Sequence, residues 1–157
     1  MTDAQISADP TLPIIRTTRD FAATPAQLIR AHTDPELYAR WTGPDGSDIR
    51  IEFWDARRGG RWQFSGTGDG QEYRFYGSFH DITEDRMVQT FAWEAQPEAV
   101  SLESLWFEDL GNGITRLHAQ SLVDSIESRD AWLASGMEVG VNDGYAKLDQ
   151  LLAAGEV

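Results

Sequence analysis

Glu103 lies in the run Val100 to Asp109, where two faces compete: Val100, Leu102, Ser104 and Trp106 alternate with Ser101, Glu103, Leu105 and Phe107. A carboxylate on the inward face needs a partner or a raised proton affinity, and either serves ligand recognition or general acid–base work. Gln89 and Tyr73 are candidate neutral partners. A bulge or register change would instead put Glu103 in water. A second polar motif, Asp55-Ala56-Arg57-Arg58-Gly59-Gly60-Arg61, can be read in two ways. Its glycines and an Asp–Arg pair would pin a sharp turn, or Arg57 or Arg61 would hold an anionic ligand or a partner's carboxylate.

The remaining chemistry is sparse. His32, His80 and His118 lack the spacing of a zinc site such as HExxH, so neither a metal nor a cofactor is expected. Alternation with Leu117 and Ala119 turns His118 toward solvent. No GxSxG is present, and Gly66-Thr67-Gly68-Asp69-Gly70 lacks the lysine and helix of a phosphate loop, which leaves a hairpin turn. Six tryptophans, Trp41, Trp54, Trp62, Trp93, Trp106 and Trp132, would fill a core or line a pocket for an apolar molecule. An exposed Trp106 would suit a dimer surface, so the chain is expected as a monomer or homodimer.

Composition narrows the classes of partner. The net charge of −13 and pI near 4.4 oppose binding to nucleic-acid phosphates or anionic membranes. The absence of cysteine removes disulfides and thiolate chemistry and fits a reducing compartment. There is neither a basic segment followed by an apolar run at the N-terminus nor an 18-residue apolar stretch, so a soluble cytoplasmic protein is expected. The 157 residues suit one domain, with 1–12 as a flexible N-terminal arm and 13–157 as the folded unit.

Elements that would position these groups follow from period and punctuation. Pro13 to Phe21 predicts a strand. Thr24-Pro25 and Asp34-Pro35 each combine an N-cap with proline at the first helical position, predicting two short helices in tandem. Segments near 48–55, 61–67, 72–82, 87–94, 101–109 and 114–122 predict an antiparallel meander, punctuated by Gly, Asp, Asn or Pro at most joins. Arg129 to Leu152 reads as a long closing helix capped by Ser128. Gly136, Gly140 and Gly144 stand four residues apart on its apolar stripe, while Glu138, Asn142 and Asp149 take the solvated side. The glycines would let the helix sit tight on a sheet, or leave room for a small molecule.

An ordered series of residues resembles a known family. It runs from Pro25-Ala26 through Asp34-Pro35-Glu36, Ala39-Arg40-Trp41 and Gly43-Pro44 to Asp55, Arg57 and Gly59-Gly60-Arg61-Trp62. It continues with Gly77, Trp93, Gly113-Ile114-Thr115-Arg116-Leu117 and Gly136 through Leu151. Over residues 14–153 the chain resembles the Bet v 1-like, START-related helix-grip (SRPBCC) superfamily, and within it the domain shared with the C-terminal part of the Hsp90 ATPase activator. Arg58 stands where the family pattern has proline.

The resemblance implies an α+β helix-grip fold: a curved antiparallel sheet of about seven strands, two short helices after strand 1, and a long C-terminal helix across the concave face. It aligns Phe107 with an inward position, and alternation then turns Glu103 toward the same space. The cavity candidates are Trp41, Trp62, Phe64, Tyr73, Phe75, Phe79, Gln89, Glu103, Phe107, Met137, Gly140 and Val141. The alternative is that side chains fill the space completely. Three functions follow from the resemblance: binding of a small hydrophobic or amphipathic ligand, a chaperone-associated role in stress response with an Hsp90-type partner, or a cyclase- or hydrolase-like enzyme. The eukaryotic activator carries a further N-terminal domain, and this chain has about 12 residues before its expected first strand.

Overall fold

The computed structural model describes residues 2–157. Its eight strands form one antiparallel sheet in the order β1-β2-β8-β7-β6-β5-β4-β3. They are β1 (Gln5–Ala8), β2 (Ile14–Phe21), β3 (Asp48–Trp54), β4 (Arg61–Gly68), β5 (Gln71–Ile82), β6 (Arg86–Trp93), β7 (Ser101–Gly111) and β8 (Ile114–Leu122). Two helices, α1 (Pro25–Thr33) and α2 (Pro35–Trp41), separate β2 from β3, and α3 (Ile126–Ala134) and α4 (Met137–Ala153) close the chain. Phe21, Leu28, Phe79, Leu117 and Leu148 are sealed between the sheet and the helices.

Local signals explain most of these boundaries. Thr24 and Gln27 form a reciprocal capping box at α1. Asp34 accepts from the N–H groups of Glu36 and Leu37 to start α2, while its own N–H closes α1 on the Arg30 carbonyl at 2.9 Å. One residue thus ends one helix and begins the next. The β4–β5 and β7–β8 hairpins turn on Asp69-Gly70 and Asn112-Gly113, all four at positive φ, as a type I′ turn requires.

Three features depart from the expectations above. Residues 1–12 are not a loose arm over their described part, because Gln5–Ala8 pairs with β2 as the eighth strand. The buried Arg129 guanidinium also donates to the carbonyls of Asp9 and Leu12, each at 2.7 Å, and the Ala4 N–H reaches Asn142 at 2.8 Å. The closing helix is broken: α3 ends at Ala134, and Gly136 adopts φ 84°, outside the right-handed helical region. Ser125 rather than Ser128 caps α3, its hydroxyl accepting from the Ser128 N–H at 3.0 Å.

The glycine stripe therefore has three separate meanings. Gly136 is a joint. A Cβ at Gly144 would stand 3.0 Å from the Trp41 carbonyl oxygen, so this glycine lets α4 press on the end of α2. At Gly140 the nearest atom would be the Pro44 Cδ at 3.6 Å, an ordinary contact. Helix propensity then decides, and Gly140→Ala is expected to raise stability by about 0.5–1 kcal/mol. Gly144→Ala should be less favourable than Gly140→Ala, and urea midpoints of both variants check the pair.

Candidate functional site

Strand alternation builds the site one rung at a time. On the concave face Gln89 pairs across the ladder with Glu103, and Glu103 with Ser121, making a polar rung over β6, β7 and β8. The next rung is Leu105, Ala119 and Thr17, and the one after it Phe107, Leu117 and Arg19. Opposite the sheet, α1 and α2 bring His32, Tyr38 and Trp41, while α3 and α4 bring Trp132, Met137, Val141 and Tyr145. Between them lies a cavity of about 240 Å³, which also touches Trp54, Trp62 and Phe91.

Glu103 is the one carboxyl group lining this space among the described residues. One carboxylate oxygen accepts from the Ser101 hydroxyl at 2.7 Å and the other from the Ser121 hydroxyl. Burial pushes its pKa up, and the two serine donors pull part of the way back by favouring the ionised form. Tyr38 and Tyr145 are both raised as well, first by burial and in part by the nearby Glu103 charge, so both phenols stay neutral.

The aromatic wall is anchored by hydrogen bonds. The indole N–H of Trp41 donates to the Ala31 carbonyl at 2.9 Å, and that of Trp54 to the Thr33 carbonyl at 2.8 Å. Tyr38 bridges them, its ring centroid 5.2 Å from each. Trp62 lies against Gly77, directly across the β4–β5 ladder, and its Nε1 has no acceptor among the described residues. Beneath the cavity Arg19 forms a two-pronged pair with Asp149, at 2.8 and 2.7 Å, which grips α4 to β2. Asp149 is thus engaged with the sheet and not simply solvated.

His32 is buried, with its ring against Trp41 and Phe107. Its Nδ1 lies 2.7 Å from the Leu28 carbonyl, which only accepts, so Nδ1 carries a proton. Burial lowers its pKa from 6.5 to about 4. Unfolded chains therefore take up this proton first as pH falls, and the stability present above pH 6.5 is lost toward pH 4. We expect the His32 contribution to be about 3 kcal/mol over that window, partly opposed by Glu103, whose raised pKa favours the fold in acid. Urea unfolding at a series of pH values should show a flatter acid limb in His32→Gln than in the parent.

Of the twelve cavity candidates, the structure brings Trp41, Trp62, Gln89, Glu103, Met137 and Val141 to the cavity wall. Phe64, Phe79 and Phe107 are instead core residues, and Phe75 packs against that core. Tyr73 is on the correct strand face but too near the hairpin end: its ring is exposed, and its hydroxyl donates to Gln71 and is no partner for Glu103. Gly140 faces Pro44 and not the cavity. Ser101 and Ser121, His32, Tyr38, Trp54 and Tyr145 were not among the candidates, since register and helix placement determine them. The Asp55–Arg61 segment is a pinned turn. Arg57 pairs with Asp55 and Arg58 with Asp81, both at 2.9 Å, and a Cβ at Gly60 would lie 1.9 Å from the Asp55 carbonyl oxygen. His118 stacks on Trp106 on the outer face, with ring centroids 5.1 Å apart.

A curved antiparallel sheet gripping a C-terminal helix over an inner cavity defines a helix-grip protein of the SRPBCC class, a fold that commonly binds hydrophobic ligands. Residues 22–153 match the family described as Activator of Hsp90 ATPase homolog 1-like protein, and the chain belongs to that family. Among solved structures, a Rhodobacter sphaeroides protein is 28% identical, with a TM-score of 0.84 over 97% of this chain and 99% of its own. A Mycobacterium smegmatis protein is 25% identical, with a TM-score of 0.85 over 96% and 98%. An Arthrobacter aurescens protein at 23% identity shares the fold, with a TM-score of 0.87 over 98% and 93%. No curated protein matches the chain. Among the described residues no helix is long and apolar enough to cross a membrane, and no group of three His, Cys, Asp or Glu side chains could hold a metal ion.

Proposed function

We propose that this chain binds a small hydrophobic or amphipathic molecule in the cavity between the sheet and its helices. The observation that carries the reading is the wall itself. Aromatic and aliphatic side chains surround about 240 Å³ of space, and the polar Gln89–Glu103–Ser121 rung crosses one side of it. Apolar lining with a few convergent polar groups is the pattern of small-molecule sites. Four tryptophans touch the cavity, so an occupant should change the intrinsic fluorescence.

The test joins native mass spectrometry of protein purified without added ligand to a thermal screen of aromatic, lipid and polyketide compounds. A binder at a hundred times its Kd should stabilise the fold by about 2.7 kcal/mol. Ala119→Phe, which fills the middle rung, should abolish that gain. No co-purifying molecule and no stabilisation by any compound would sink the proposal. A chaperone-associated role has the family match as its support, and unchanged ATPase activity of a purified Hsp90 homologue in the presence of the chain would remove it.

A further inference from the structure

We infer that the cavity selects a small organic cation: an ammonium group on an apolar body of about one ring or two fused rings, with the ammonium held at Glu103. The inference rests on the cavity being a ligand site, as proposed above, and adds the chemical class of its occupant. Three observations converge on it.

The first is the inventory of ionisable groups. Among the described residues that line the cavity, Glu103 is the one carboxyl group, no Lys, Arg or Asp takes part, and His32 is neutral. The nearby Arg19 guanidinium is held by Asp149 at 2.7 Å. A carboxylate ligand such as a fatty acid would therefore meet a second carboxyl group with no lining cation to offset either. The second is the acceptor geometry. Each Glu103 oxygen already receives one serine hydroxyl, and a carboxylate oxygen has a second lone pair to offer. The Gln89 side chain stands beside it in the same rung.

The third is the wall. Trp54, Tyr38, Trp41 and Tyr145 form a continuous arc of rings, with successive centroids 5.2, 5.2 and 5.9 Å apart. Electron-rich rings that share a cavity with a carboxyl group are the recognition chemistry of an ammonium, and they give a neutral or anionic head group no equivalent gain. The overall charge of −13 also concentrates cations near the chain.

Calorimetry at neutral pH with 2-phenylethylamine, 2-phenylethanol and phenylacetate tests this, because the three share a ring and differ in the head group. The ammonium should bind at least about tenfold more tightly than the alcohol, with the carboxylate weakest. In Glu103→Gln the amine and the alcohol should become equal. Alcohol or carboxylate binding as tight as the amine would overturn the cation inference and leave the ligand site standing. Amine preference surviving in Glu103→Gln would overturn it too. Binding of none of the three, together with an Ala119→Phe variant indistinguishable from the parent in the wider screen, would remove both readings. If Glu103→Gln does not fold, the ranking on the unaltered protein decides alone.

Discussion

Gly77→Ala is expected to lower the unfolding free energy by at least about 3 kcal/mol, more than an ordinary overpacked methyl group. A Cβ at this position would stand 2.0 Å from the Thr90 carbonyl oxygen and 2.8 Å from Cε2 of Trp62. The first neighbour is backbone of the adjacent strand and the second is an indole 2% exposed, so neither moves cheaply. Relief requires β5 to part from β6 beside Gly77, between the Tyr76–Ala92 and Phe79–Gln89 pairs. Equilibrium urea unfolding followed by far-ultraviolet circular dichroism measures the loss. Gly68→Ala is the control, because nothing lies within 4 Å of its Cβ position. A Gly77→Ala variant as stable as Gly68→Ala would contradict the packing described for Trp62.

Asp149→Leu should cost about 3 kcal/mol, by leaving the Arg19 guanidinium buried without its carboxylate. The Arg19 side chain is 4% exposed and Asp149 26%, which puts the expected loss at the lower end of the range for buried pairs. Arg19 also lies over the Phe21 ring at 4.5 Å, and its Nε has no acceptor among the described residues, so its desolvation rests heavily on the carboxylate. Arg19→Met should cost less, since it removes the buried charge. The double variant should recover part of the Asp149→Leu loss, and such a cycle read by urea midpoints at constant m isolates the coupling. Additive losses would show that the pair does not bind α4 to the sheet.

The element order was legible because the signals are local. Proline after a capping residue, glycine and asparagine at positive φ, and period-two strands all act within a few residues of their cause. The inward face of β7 followed from the family resemblance, which aligns Phe107 inward, with alternation carrying that face back to Glu103; the run by itself left two faces in competition. What alternation cannot give is the partner across the ladder. The bulge between Asp109 and Gly111 shifts the β7–β8 pairing by one residue, and that shift sets Ser121, rather than its outward neighbour Leu122, opposite Glu103. Height along the strand was equally hidden. Tyr73 shares a face with Phe75 and Gly77, yet it sits beyond the reach of the helices. The break at Gly136 was missed because a glycine on an apolar stripe looks the same in sequence whether it is inside a helix or at its joint. Arg129 and Arg19 gave no signal, as the carbonyls that Arg129 ties down and the carboxylate that holds Arg19 lie more than a hundred residues away.

The shared residue at Asp34 has a consequence for the thermodynamics of occupancy. With no linker between α1 and α2, the corner that carries His32, Tyr38 and Trp41 has almost no conformations to lose when a molecule enters. The indoles of Trp41 and Trp54, tethered to carbonyls in and at the end of α1, are likewise already immobilised. The proposed binding would therefore forfeit little side-chain freedom, which is the usual drain on affinity in a soft apolar pocket. The same rigidity sharpens discrimination by size. A ring slightly too large cannot be admitted by turning Trp41 or Trp54 aside without breaking that indole's hydrogen bond, so on that side of the cavity affinity should fall abruptly as the proposed occupant grows.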